Sequence, residues 1–168
     1  MTDFQKISHL IRFGLSFHKM TVENIIDWSD SKINEQTDND LFFDLSTAGT
    51  TSKIVDLLSV QVTWEYNNKE IRRLLLSYYN EYLKDNSDKW IDIEKELLEY
   101  FHLLDYNNSN ERVKDFLYFL EDDWHLRKDG YGGLLQMPKY LRDNLAKFQD
   151  YDKLKEFLKG QGLIGYEI

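Results

Sequence analysis

The sequence predicts an all-α fold: one domain spanning residues 1–168, in which about seven helices pack as antiparallel pairs around an aromatic-rich core. Between residues 69 and 128, three long segments place apolar side chains three and four residues apart, which is the spacing of a buried helix face. The turns between these segments are short, so consecutive helices should run antiparallel. The chain has a single proline, Pro138, and it falls where a helix is expected to begin.

In the N-terminal part, the first helix is expected over Asp3–Phe13. Gly14 should end it, because glycine readily takes the left-handed conformation that terminates helices. Thr21 is a suitable cap for the second helix, and a polar break then precedes a short third helix, Asp40–Leu45. A fourth segment repeats apolar residues at helical spacing, although residues 60–64 also alternate in the manner of a strand.

The central helices are the clearest part of the prediction. Their apolar stripes comprise Ile71, Leu74, Leu75, Tyr78, Tyr79 and Tyr82 in one segment, Trp90, Ile93, Leu97, Phe101 and Leu104 in the next, and Val113, Phe116, Leu117, Leu120 and Trp124 in the third. Asp88 is expected to cap the middle helix, and Gly130 to end the third. Two shorter helices should follow, one opened by Pro138 and one around Asp152–Leu158.

The composition limits the class of protein. The chain has 30 acidic and 21 basic residues, a net charge of −9, and the surplus of acids lies within residues 1–125. Such a surface disfavours nucleic acid, and it either steers basic proteins toward the chain or simply keeps the chain soluble. The absence of cysteine excludes disulfides and thiolate metal sites. Neither an apolar run of about 18 residues nor a signal-peptide pattern occurs, so we expect a cytoplasmic protein without a membrane partner.

An acidic stripe along the back of the middle helix is the first candidate for binding a partner. Its side chains fall in one narrow sector when successive residues are turned by about 100°. The stripe comprises Asp88, Asp92, Glu96 and Glu99. Like charges at this spacing oppose helix formation slightly, so the stripe is either a docking surface for a cationic partner or an ordinary solvated helix back.

The second candidate is the run Glu121, Asp122, Asp123 and Trp124, which His125 follows. A tryptophan beside charges is a frequent arrangement at the centre of protein interfaces. Because successive helix residues point about 100° apart, the three carboxylates cannot all converge on one metal ion. We expect the carboxylates to face outward and the tryptophan to face inward.

No pattern in the sequence predicts a catalytic, cofactor-binding or metal-binding residue. The four histidines lack the spacing of zinc sites. The segment Gly130–Gly133 lacks the Lys-Ser/Thr pair of a phosphate loop and is more simply explained as a connector. The fold could still bring carboxylates and histidines together in a pocket, so an enzyme whose site forms only in the folded chain stays an open alternative.

Several short motifs are spread over most of the chain. They are Gly14-Leu15-Ser16-Phe17, the residues from Ile25 to Trp28, Asp44-Leu45-Ser46, Leu57-Leu58 and Leu120-Glu121-Asp122. Together they resemble a small bacterial family called domain of unknown function 2247. That family has no assigned activity, so the resemblance implies no catalytic residue. In size and acidity, the chain is also similar to immunity proteins of bacterial toxin systems, which bind and block a toxin.

These observations predict a non-enzymatic protein-binding module, specifically an immunity-type inhibitor that blocks a cognate basic toxin and needs no cofactor. A helical scaffold or adaptor with a non-toxic partner is the first alternative, and the enzyme described above is the second. The sequence specifies neither the partner nor the oligomeric state.

Overall fold

The computed structural model describes residues 2–35, 40–60, 69–103, 111–131 and 136–163, with the side chains of 100–103 and 111–114 left aside. These residues form nine α-helices and one 3₁₀ turn, and no strand occurs among them. The helices are α1 (Asp3–Ser16), α2 (Val22–Glu35), α3 (Asp40–Ser46), α4 (Thr51–Ser59), α5 (Lys69–Asp85), α6 (Trp90–Leu103), α7 (Glu111–Lys128), α8 (Met137–Leu145) and α9 (Tyr151–Gly160).

The predicted all-α class is therefore confirmed for the described residues, and the helix count exceeds the expected seven or so. No described helix combines the length and the apolar character that a membrane span requires.

The helices belong to two compact units, each with its own core. The first unit contains α1–α4 together with residues 153–163, and the second contains α5–α8 with the chain up to Asp152. In the first unit, α2 packs on α3, and α4 packs on α1 and α3. In the second, α5 and α6 pack on α8 and on each other, and α7 packs on α6.

Helix α1 passes through Gly14 and ends at Ser16, so the prediction that Gly14 terminates it is wrong. Gly14 is buried inside the helix, and a Cβ atom there would lie 2.5 Å from Cγ of Met20. The glycine therefore permits a close approach between chain segments and does not provide a left-handed turn. The left-handed residue in this connection is His18, with φ 55°.

The predicted cap of α2 is confirmed by two reciprocal hydrogen bonds. The amide of Asn24 donates to Oγ1 of Thr21 at 3.2 Å, and the amide of Thr21 donates to Oδ1 of Asn24 at 2.8 Å. The short helix α3 lies where the sequence places it. A helix, α4, also covers the fourth apolar segment from Thr51 to Ser59, whereas residues 61–68 lie outside the described part.

The first unit is closed by residues from distant parts of the chain. Nε1 of buried Trp28 donates to the carbonyl oxygen of Gln161 at 2.9 Å, 133 residues away in sequence. The ammonium of Lys6 lies 5.7 Å from the ring centre of Phe157. These contacts hold residues 153–163 against α1 and α2.

In the second unit, α5 buries the predicted apolar stripe almost completely, and only Tyr82 is partly exposed. Asp88 lies inside the 3₁₀ turn Ser87–Lys89, and α6 begins at Trp90, so Asp88 does not occupy the capping position that the sequence predicts. Pro138 is confirmed in the first turn of α8. The remaining predictions for residues 104–110 and 164–168 fall outside the described residues.

Gly130 ends α7 as predicted. Its φ is 82°, its amide donates to the carbonyl of Arg127 at 3.1 Å, and the amide of Tyr131 donates to the carbonyl of Leu126 at 2.9 Å. This pair of bonds is a Schellman motif, in which a left-handed residue satisfies the last carbonyls of a helix.

Candidate partner-binding face of helix α7

Helix α7 presents two opposite faces, one apolar and buried and one exposed. Phe116, Leu117 and Leu120 are buried on the inner side. Each residue of an α-helix is rotated by about 100° about the helix axis from the one before it. With this rotation, the residues on the opposite side of α7 fall within a sector about 100° wide. All of them are exposed, and we refer to them as the α7 outer face: Asp115, Tyr118, Asp122, His125, Leu126 and Asp129.

Two large apolar side chains belong to the α7 outer face. Tyr118 is 50% exposed and Leu126 is 46% exposed. With Asp122 between them they follow one another at i, i+4 and i+8, so the three side chains stand along one line of the helix. Tyr131, 78% exposed, follows just beyond the helix end. Single exposed apolar residues are ordinary, whereas this alignment concentrates apolar area on one strip.

Three aspartates give the α7 outer face its charge. Asp115, Asp122 and Asp129 recur at intervals of seven residues, and none of them forms an ion pair within the described residues. The guanidinium of Arg127 turns to the inner side, where it bonds to Asp123 and Glu94. The face therefore combines an apolar strip with three exposed carboxylates.

The inner side of α7 carries a buried ion cluster that joins it to α6. Nε of Arg127 donates to Oδ2 of Asp123 at 2.7 Å, and Nη2 of Arg127 donates to Oε2 of Glu94 on α6. Glu94 is 0% exposed and Asp123 is 1% exposed. The guanidinium carbon lies 5.1 Å from the ring centre of Trp90 and 5.5 Å from that of Trp124. We call these five residues the Arg127 clasp.

The Arg127 clasp sets the rotation of α7 about its axis. Burial lowers the pKa of Arg127, but its ordinary value is so high that the guanidinium keeps its charge. One guanidinium faces two buried carboxylates, and Oε1 of Glu94 has no hydrogen-bond partner among the described residues. Breaking such a cluster on one side is costly because a charge is left buried. The clasp therefore holds the inner side of α7 against α6 and leaves the α7 outer face toward solvent.

The structure divides the second candidate, the run from Glu121 to Trp124, between the two sides of α7. Asp122 lies on the α7 outer face, and Glu121 is partly buried within 3.9 Å of His125. The expectation that all three carboxylates face outward is wrong for Asp123, which lies one turn after Leu120 on the buried side. Trp124 is half-buried against the guanidinium of Arg127, so its inward orientation agrees with the sequence.

The side chains of the acidic stripe on α6 also differ in exposure more than the sequence implies. Asp88 and Asp92 are exposed, and Glu99 is exposed beside Lys95, with 3.7 Å between the charged atoms. Glu96 accepts a hydrogen bond of 2.8 Å from the hydroxyl of buried Tyr79, so it is tied to the core of its own unit. An exposed ion pair such as Lys95–Glu99 contributes little to stability.

Sequence reasoning missed Glu94 and Arg127, although both carry a readable signal. Glu94 lies four residues after Trp90 and three before Leu97, so it interrupts an apolar stripe with a carboxylate. Arg127 lies four residues after Asp123, which is the spacing of an ion pair on one helix face. An acid inside an apolar stripe predicts a buried cation nearby, because a lone buried charge is too costly.

Within the residues that the structure describes, no group of three or more His, Asp or Glu side chains could hold a metal ion. Comparison of the chain with models of known families, with curated proteins and with solved structures gives no match. The resemblance to domain of unknown function 2247 therefore stays a prediction.

Proposed function

We propose that this chain is a non-enzymatic protein-binding module, an immunity-type inhibitor that acts in the cytoplasm by binding and covering a basic bacterial toxin. The observation that carries the proposal is the α7 outer face, where two half-exposed apolar side chains alternate with carboxylates that form no ion pair with a described residue. Surfaces of this kind suit a cationic protein better than any other class of partner, since they offer charge attraction and apolar area together.

The two components of the face have different roles in this proposal. The aspartates, together with the net charge of −9, attract a basic protein and raise the rate of association. Tyr118 and Leu126 lose their exposure in the complex and thereby slow dissociation. The Arg127 clasp keeps both components in place before the partner arrives, so little conformational ordering is required on binding.

The test is a growth-protection assay combined with purification from the native host. We expect a stoichiometric basic protein to copurify, to be toxic when expressed alone, and to be neutralised by coexpression of this chain. Asp122→Lys should abolish protection. Asp56→Lys is the matched control, because it makes the same change of charge at an exposed helical position of the first unit.

Binding kinetics separate the α7 outer face from other surfaces. Asp122→Lys should slow association and flatten its salt dependence, and Leu126→Ala should speed dissociation. Equal kinetics for wild type, Asp122→Lys and Asp56→Lys would show that a partner binds elsewhere. The predicted stripe on α6 would then be tested with Asp92→Lys, because Asp92 is exposed and unlike Glu96 is not bonded to the core.

The helical adaptor is the second candidate, and the same face supports it. An adaptor would bind its partner through the α7 outer face with the same sensitivity to Asp122→Lys. It would give no growth protection, because its partner is not toxic. The coexpression assay therefore distinguishes the two candidates.

A further inference from the structure

We infer that the α7 outer face binds a basic amphipathic α-helix of its partner, with a lysine or arginine at every seventh position. This inference rests on the proposed function, because it assumes that this face is the one that binds protein. It adds the secondary structure and the sequence pattern of the bound segment.

The spacing of the three aspartates supports a helical partner. Seven residues of helix advance about 10.5 Å, so Asp115, Asp122 and Asp129 form a row of charges about 21 Å long. A partner helix that repeats a cation every seven residues advances by the same distance and returns each cation to nearly the same side. Two helices packed at a shallow angle of about 20° can therefore pair all three charges at once.

An extended partner segment fits this row poorly. Side chains on one side of a strand recur every two residues, or about 6.8 Å, and a residue about 10 Å away points to the opposite side. A strand that contacts Asp115 and Asp129 therefore turns the residue between them away from Asp122. Only one or two of the three carboxylates would be neutralised.

The apolar residues define the rest of the partner's pattern. Tyr118 lies three residues after Asp115, and Leu126 lies three residues before Asp129, so each apolar side chain stands between two carboxylates. A complementary helix carries leucine or another large apolar residue three or four positions from each cation. This arrangement buries the half-exposed parts of Tyr118 and Leu126 and leaves the charges at the edge of the contact.

The probes are two synthetic peptides of identical composition, 21 residues long. The first repeats lysine every seventh residue with leucine three positions later. The second places the same residues in alternation, so that the lysines share one side of a strand. Binding is measured by titration at low and high salt, and circular dichroism reports the helix content of each peptide on binding.

We expect the first peptide to bind at least about tenfold more tightly than the second and to gain helix content on binding. Asp122→Asn should remove most of this preference, whereas Asp56→Asn, which also deletes one exposed carboxylate, should leave it unchanged. Equal binding of the two peptides, or a preference that Asp122→Asn does not alter, would overturn the inference.

Growth protection against the natural partner, compared with peptide binding, distinguishes a failure of the proposed function from a failure of the helical pattern. If Asp122→Lys abolishes protection but the two peptides bind equally, the face binds protein and the helical pattern is wrong. If Asp122→Lys and Asp56→Lys protect equally, the proposed function of the face is itself wrong.

Discussion

Replacement of Gly14 by alanine sets two opposed effects against each other at one buried position. In an unobstructed helix interior, alanine is favoured over glycine by about 1 kcal/mol. At Gly14 the new Cβ would lie 2.5 Å from Cγ and 2.6 Å from Sδ of Met20. Carbon atoms pack at about 3.5–4.0 Å, so Met20 or α1 must move by about 1 Å.

The expected result is a net loss of stability. Overpacking a close-packed core costs about 1–3 kcal/mol, and the flexibility of methionine places the cost below the upper end of that range. After subtraction of the helix-propensity gain, Gly14→Ala should lower the free energy of unfolding by about 1 kcal/mol. Thermal denaturation should show a decrease of roughly 2–4 °C.

A double-mutant cycle identifies the cause. Met20→Ala alone should cost about 2–5 kcal/mol, because it leaves a cavity. In the double variant the steric conflict is gone, so Gly14→Ala should become stabilising and the coupling between the sites should reach about 2 kcal/mol. Urea denaturation followed by circular dichroism measures all four variants.

Gly160 provides the matched control for this cycle. It is the last residue of α9, and nothing lies within 4 Å of a Cβ placed on it. Gly160→Ala should therefore be neutral or stabilising. A Gly14→Ala variant that is as stable as Gly160→Ala, with no coupling to Met20, would refute the packing explanation.

Three further predictions concern pH, charge and backbone conformation. Burial, with a smaller contribution from the charge of Arg12, lowers the pKa of His9 to about 4. As the pH falls, the unfolded chain therefore takes up a proton on His9 before the folded chain does. The free energy of unfolding should fall by about 1–2 kcal/mol, after allowance for partial exposure, between pH of about 6.5 and about 4. His9→Gln should remove this part of the pH dependence in urea titrations; an unchanged profile would contradict it. Arg127→Ala should cost about 3–5 kcal/mol in urea denaturation at pH 7, because it leaves two buried carboxylates without their cation. A loss below about 1 kcal/mol would show that the Arg127 clasp does not stabilise the packing of α7 on α6. Gly130→Ala should cost about 1–2 kcal/mol, since the φ of 82° disfavours a Cβ although the surrounding space is open. Gly130→Asn should recover part of that cost. Equal stability of the two variants would exclude the conformational explanation.

The sequence predicted the features of this fold that depend on local spacing. The stripe on α5, the cap at Thr21, the stop at Gly130 and the proline at the start of α8 follow from residues within one or two turns of each other. The prediction for Gly14 was wrong because the role of this residue depends on Met20, which packs against it after the chain has turned. A local pattern cannot distinguish a glycine required by a contact from one required by a turn.

The candidate site was predictable only in part, for the same reason. Periodicity identified α6 and α7 and an acidic surface on each, but all three carboxylates of the second candidate were assigned to the exposed side, although Asp123 falls on the apolar face. Asp123 and Glu94 occupy apolar faces, and their pairing through Arg127 depends on how α6 and α7 pack. The exposed positions of Tyr118 and Leu126 could have been found from the same helical angles, since both fall outside the apolar stripe.

The long-range bond between Trp28 and Gln161 has a consequence for biosynthesis. The second unit is built from a continuous stretch of chain, so it can begin to fold as soon as that stretch leaves the ribosome. The first unit lacks residues 153–163 during the same interval, and the surfaces of α1 and α2 that these residues cover stay open. Helices α1 and α2 are therefore synthesised first, but their apolar surfaces are covered last. Until residues 153–163 are available, chaperones that bind nascent chains would have to protect these surfaces from aggregation.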